Sequence, residues 1–241
     1  MKIHLNFKNM IISIIVIMFL IGSMFLLSFS KKESKYFASV NAYFVCKPSN
    51  ELESVNIEEI NKIKRLGGAG LYLFENNVSY IVFGVYLSYD EAKFVLDQNL
   101  SNYNDLCIIK RCSNKISHKV QNKIKQNITL FSFFKELHDF YINYYNLQNS
   151  YLVGNITQSK FISKVLSSKY LFEKIISELK CNSGDENIFL VFANYSNIFL
   201  LKIESLMLNF YNTDDKSSAL FSFSVEYTNL RIDFLNKLQK V

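Results

Sequence analysis

The side chains best equipped for chemistry in this 241-residue chain are four cysteines and three histidines. Cys46, Cys107, Cys112 and Cys181 include no Cys-x-x-Cys pair, and His4, His118 and His138 stand at none of the spacings from which a zinc site is built. No metal centre is expected. His138-Asp139 falls in an amphipathic stretch whose solvated face accounts for both residues. Glu58-Glu59 reads as an exposed helix face, not as the two carboxylates that flank a scissile glycosidic bond. There is no Gly-x-Ser-x-Gly elbow, no phosphate-binding loop and no His-Glu-x-x-His, and Gly67-Gly68-x-Gly70 lacks the later glycine of a dinucleotide fingerprint. The chain is therefore expected to be no enzyme and to need no cofactor.

Charge narrows the class further. The net charge of +6 is modest for the length, and the lysines are scattered among acidic residues without forming a stripe, which argues against a nucleic-acid partner. A chain of this size can bury a core without staples, so the even cysteine count permits disulfides but does not require them.

The elements that would position these residues begin with an apolar run. Met10 to Ser30, MIISIIVIMFLIGSMFLLSFS, carries no charge and as a helix measures about 30 Å, the thickness of a bilayer's hydrocarbon core. A single transmembrane helix over 10–30 is expected, with a tail over 1–9 and a spacer over 31–40. Lys2 and Lys8 on one side nearly balance Lys31, Lys32 and Lys35 on the other, so charge does not orient the helix. The short leading tail places the N-terminus in the cytoplasm and the rest outside the cell membrane. A cleaved signal peptide is the alternative, since Ser28-Phe29-Ser30 offers a small-x-small site, although the apolar run exceeds the usual length.

Beyond the spacer the pattern changes to short strands and helices. Tyr43 to Lys47 reads as a strand ended by Pro48, and Val55 to Leu66 as a helix stopped at Gly67-Gly68. Ala69 to Phe74 and Val78 to Tyr86 flank Glu75-Asn76-Asn77 as the arms of a hairpin. Ser88 and Glu91 form a capping box before a second helix, and Leu106 to Lys110 supplies a last strand. The order βαββαβ is that of a ferredoxin-like split arrangement, with two helices over one face of a four-stranded antiparallel sheet. Strict alternation along the third strand sends Tyr80, Val82, Gly84 and Tyr86 to one face and Ile81, Phe83 and Val85 to the core.

Residues 41–112 resemble the SPOR family of bacterial cell-envelope domains. The resemblance rests on Tyr80-Ile81-Val82-Phe83-Gly84-Val85-Tyr86-Leu87-Ser88-Tyr89-Asp90-Glu91-Ala92, an aromatic strand, a Gly, an aromatic, a Ser and Glu-Ala opening a helix, preceded by the glycine-rich link Gly67 to Gly70. It implies a module that binds peptidoglycan glycan strands on its open sheet face, in a protein of division or sporulation. Tyr43, Tyr80 and Tyr86 are then the candidate glycan-binding residues, ring faces being suited to stack on sugars; the alternative is that they are half-buried sheet aromatics. The implied fold also makes the first and last strands neighbours, which brings Cys46 close to Cys107 as a candidate disulfide, with two free thiols as the alternative. The first strand departs from the family, having Val45-Cys46-Lys47-Pro48 where members often carry a Gln and then a Gly.

After a polar link over 113–127, residues 128–241 carry apolar residues at helical spacing. Leu130 to Tyr145, Phe161 to Leu179 and Leu220 to Leu238 each predict an amphipathic helix. Ile188 to Phe210 reads as a buried helix or a pair of strands, since Asn194, Asn197, Lys202 and Glu204 interrupt it as a membrane span. A bundle of three or four helices is expected, whose aromatic stripes are core or a surface for protein partners. The whole is thus an α+β chain: a membrane-anchored envelope protein with a glycan-binding module, or a membrane scaffold that holds protein partners through its helical region.

Overall fold

The computed structural model describes residues 35–49, 57–99, 103, 105–181, 186–213 and 216–241. The expected membrane helix over 10–30 and its alternative cleavage site lie outside these. A single 3-10 turn at Lys35–Phe37 ends an N-terminal unit, Met1–Ala38, and a second compact unit spans Ser39–Val241.

Among the described residues the second unit is α+β, with one four-stranded antiparallel sheet and seven helices. It begins β1 (Asn41–Ser49), α1 (Ile57–Arg65), β2 (Leu71–Glu75), β3 (Val78–Tyr86), α2 (Tyr89–Asn99) and β4 (Cys107–Cys112). The strands lie in the order β2-β3-β1-β4, as the split βαββαβ arrangement requires. Local signals account for the boundaries. Gly67 takes φ +81° after α1; its N–H donates to the Lys64 carbonyl and that of Gly68 to the Ile63 carbonyl, the paired bonds of a Schellman cap. A Cβ on Gly68 would stand 2.8 Å from Ile63 Cγ2, so the second glycine is needed for space. Asn76 and Asn77 both have positive φ between the paired ends Glu75 and Val78, the conformation of a type I′ hairpin turn. Ser88 and Glu91 exchange the two hydrogen bonds of a capping box at the start of α2.

The remaining helices are α3 (His118–Gln126), α4 (Ile128–Leu152), α5 (Gln158–Cys181), α6 (Glu186–Asn212) and α7 (Lys216–Gln239). Helix α3 occupies the stretch read from sequence as a polar link. Ser117 caps it, and it buries only Val120, Gln121 and Ile124, too narrow an apolar face to stand out among Lys and Asn. Asn127 then caps α4 by accepting from the Leu130 N–H. The ambiguous stretch 188–210 is one continuous helix. Each long helix packs on the next and α4 meets α7, giving a four-helix bundle.

The bundle interior is a stack of rings. Phe133 meets Phe172 and Phe192 at one end, Phe140 meets Phe172, Phe199 and Tyr227 in the middle, and Phe161 stacks on Phe210 at the other end. Among the described residues α6 is the one helix long and apolar enough to cross a membrane. One side of it, Ile188, Phe192, Phe199, Ile203 and Phe210, is buried in this core. Its other side exposes Leu190, Leu201 and Leu208.

Candidate functional site

The sheet is the surface on which the sequence places a binding site, and its two faces differ from the expectation. β3 does not alternate along its whole length. Val45 pairs with Gly84 and Cys46 with Val82, so Phe83 is an extra residue without a partner on β1, a β-bulge. The inserted residue resets the alternation. Ile81, Phe83 and Tyr86 join Val45, Ile63 of α1 and Ala92 of α2 in one buried cluster, while Val82 and Val85 face the opposite way, with Cys46 and Phe44 across from them. Tyr86, expected on the far face with Tyr80, is therefore a core residue on the helix-covered face.

The three candidate tyrosines do not form one platform. Tyr43 pairs directly with Tyr86 and packs against the α1–α2 cluster, where it meets the Tyr89 ring at 6.0 Å and the Lys110 ammonium at 5.9 Å. Burial, with the Glu91 carboxylate as a smaller contribution, pushes the Tyr86 hydroxyl well above the usual tyrosine range. Tyr80 lies on the opposite face, half-buried, between Pro48 on β1 and Leu73 on β2.

That opposite face is met by the bundle. Val85 borders a cavity of about 10 Å³ with Tyr141 and Tyr144 of α4 and Ser224 and Tyr227 of α7. Ser222 Oγ donates to the Ala69 carbonyl at 2.8 Å, Arg111 Nη1 donates to Asn229 Oδ1, and the Asn114 N–H donates to Asn236 Oδ1 at 2.7 Å. Helix α7 thus bonds to the chain just before β2 toward one end, and to β4 and the residues after it toward the other. Ala42, Phe44 and Cys46 on this face are fully buried.

The candidate disulfide residues are opposed as expected. Cys46 and Cys107 are direct partners in the β1–β4 ladder, and both are free thiols here. Burial pushes both thiols up, Cys46 the more strongly and with a further contribution from Cys107, so neither is a ready nucleophile. Cys112 is exposed at the other end of the ladder, opposite Asn41. No group of three or more His, Cys, Asp or Glu residues that would hold a metal occurs among the described residues.

The concavity that sequence reading missed is a cleft of about 760 Å³ where the α/β unit meets the bundle. Its floor is Phe83, Tyr86, Val95 and Phe221, contributed by β3, α2 and α7. Phe94 is 63% exposed at the mouth and Val153 70%, so these apolar side chains have no cover. Polar groups converge from two elements: Asp90 and Glu91 from the first turn of α2, Tyr145 and Asn149 from α4. Tyr145 Oη donates to Glu91 Oε2 at 3.1 Å, a bond that ties the two halves of the unit together. Burial and the nearby Glu91 carboxylate hold the Tyr145 hydroxyl above its ordinary range, keeping it protonated and a donor. Among the described residues no basic side chain lines the cleft. In sequence Asp90 and Glu91 read as helix-start residues and Tyr145 as one more ring of an apolar stripe; nothing local joins them. No protein-family model, no curated protein and no solved structure matches this chain.

Proposed function

We propose that this chain is a membrane-anchored, non-enzymatic scaffold of the cell envelope, tethered by the apolar helix over 10–30, whose folded part holds protein partners outside the cell. The observation that carries this reading is the helix α7 laid against the sheet. Sugar recognition by a SPOR-like module needs an open sheet face, and here the Val85 side of the sheet meets α4 and α7 while Ala42, Phe44 and Cys46 beside it are fully buried. The uncovered apolar surface lies elsewhere, in the cleft and along Leu190, Leu201 and Leu208 of α6, as suits contacts with other polypeptides.

A second reading, a SPOR-like module that binds peptidoglycan glycan strands in division or sporulation, is favoured by the strand order β2-β3-β1-β4 and by the capping box that follows β3. The two separate in a pull-down of the full chain, reconstituted in lipid nanodiscs, with purified peptidoglycan sacculi before and after an amidase has stripped the stem peptides. The scaffold reading expects no retention on either preparation. Retention that rises after stripping would sink it in favour of glycan binding.

A further inference from the structure

We propose that the cleft between the α/β unit and the bundle is a receptor for a basic, apolar segment of a partner polypeptide, one that inserts a Lys or Arg flanked by apolar side chains. The proposal rests on the scaffold reading for its choice of a polypeptide, and on the cleft's own chemistry for the rest.

Size and lining set the class of occupant. About 760 Å³ is the volume of a ligand-sized site, and five of its lining residues are aromatic: Phe83, Tyr86, Phe94, Tyr145 and Phe221. Ring faces attract cations and also accommodate the methylene stem of Lys or Arg, so one side chain can satisfy both the floor and an acidic rim. The rim is acidic in a chain whose net charge is +6. Asp90 and Glu91 carry two negative charges against the helix-end charge of about +0.5 supplied by α2, which leaves the site negative.

The two carboxylates are not equivalent. Glu91 already accepts from the Ser88 N–H and from Tyr145 Oη, which fixes its orientation. Asp90 has no ion-pair partner among the described residues and stands exposed beside it, free to take the incoming cation. Exposed Phe94 and Val153 at the mouth give the flanking apolar side chains a surface to cover. A free organic cation would use the carboxylates but leave that mouth unfilled, which is why the stem and its apolar neighbours together favour a peptide.

The test uses the full chain in nanodiscs of zwitterionic lipid and short fluorescein-labelled peptides alternating Leu with Lys, Gln or Glu, read by fluorescence anisotropy against empty nanodiscs. The Leu-Lys peptide should bind saturably and the Leu-Glu and Leu-Gln peptides should not. The double variant Asp90→Asn with Glu91→Gln retains the capping box, since Gln can serve there, and should weaken binding about tenfold, as loss of a charged hydrogen bond to a cation does. Phe94→Ala, at an exposed position, should weaken it by about threefold. Equal binding of the Leu-Gln peptide, unchanged affinity in the double variant, or no saturable binding of the Leu-Lys peptide overturns the proposal. Displacement of the peptide by n-butylammonium at matching concentrations would also overturn it, assigning the cleft to a free cation. Sacculus retention of the same nanodiscs fails the scaffold reading alone, so the two failures are distinguishable.

Discussion

The α/β unit and the helical bundle are built on opposite economies. In the α/β unit the covering helices are short and contribute little: α1 buries Ile63 and α2 buries Ala92, with Ile60, Val95 and Leu96 partly covered. In the bundle, α7 buries residues along its whole length, from Ser218 to Leu238, and the core is a continuous run of rings from Phe133 to Phe210. Full burial of one such side chain contributes about 1.5–3 kcal/mol, so the ring stack has far more to spend than the sheet's own helices. The bundle also supplies what the sheet lacks, a cover for Val85 and the strand ends near Ala69 and Arg111. A unit whose local signals are complete can thus still depend on a neighbour for its stability.

The strongest way to break that comparison is to separate the regions. A fragment ending after Ser113 should lose cooperative folding altogether, because the Val85 face would be left in water; a sharp thermal transition by circular dichroism in that fragment would show the sheet to be self-sufficient. Next come core truncations on each side. Phe140→Ala removes the ring that touches Phe172, Phe199, Phe223 and Tyr227 and should cost about 4 kcal/mol, and Ile63→Ala should cost about 3 kcal/mol in chemical denaturation. Both should shift one shared transition; two separate transitions would mean two independent units. Gly84→Ala tests the junction itself. Its Cβ would meet Tyr86 Oη at 3.1 Å and the Phe221 ring at 3.2 Å, so a loss of about 1–2 kcal/mol is expected, and a neutral result would mean the junction yields easily.

A last effect is read from pH. Tyr144 and Tyr227 are fully buried in the bundle near the sheet, and burial raises both hydroxyls above their ordinary range. A raised folded-state pKa leaves stability intact below pH 10 and erodes it as pH climbs above 10, where the unfolded chain loses a proton that the folded chain keeps. Each should contribute a slope of about 1.4 kcal/mol per pH unit in that window. Denaturation at graded alkaline pH checks the sign, and a flat profile above pH 10 would show these hydroxyls to be accessible.

What the sequence revealed follows from the range of each signal. The Gly67-Gly68 stop, the Asn76-Asn77 turn and the Ser88–Glu91 cap are short-range, and each is found where it was read. The bulge at Phe83 was not legible, since an extra residue on one strand is defined only by its partner strand, and it moved Tyr86 from one face to the other. Helix α3 was missed because only three of its residues are buried among lysines, and α6 was ambiguous because its Asn residues sit on the solvent side of an apolar helix. The cleft was invisible for a deeper reason. Asp90, Tyr145 and Phe221 are brought together only by the docking of α4 and α7 against the α/β unit, and no spacing along the chain encodes that event.

The strand order carries a mechanical consequence. β1 is the first strand of the compact unit and lies inside the sheet, with antiparallel ladders to β3 on one side and β4 on the other. A chain held at its N-terminal end and loaded by whatever it binds would transmit the pull into Asn41, lengthwise along that strand. Its two ladders would then have to shear together, so under such a load β1 is the element best placed to resist extraction.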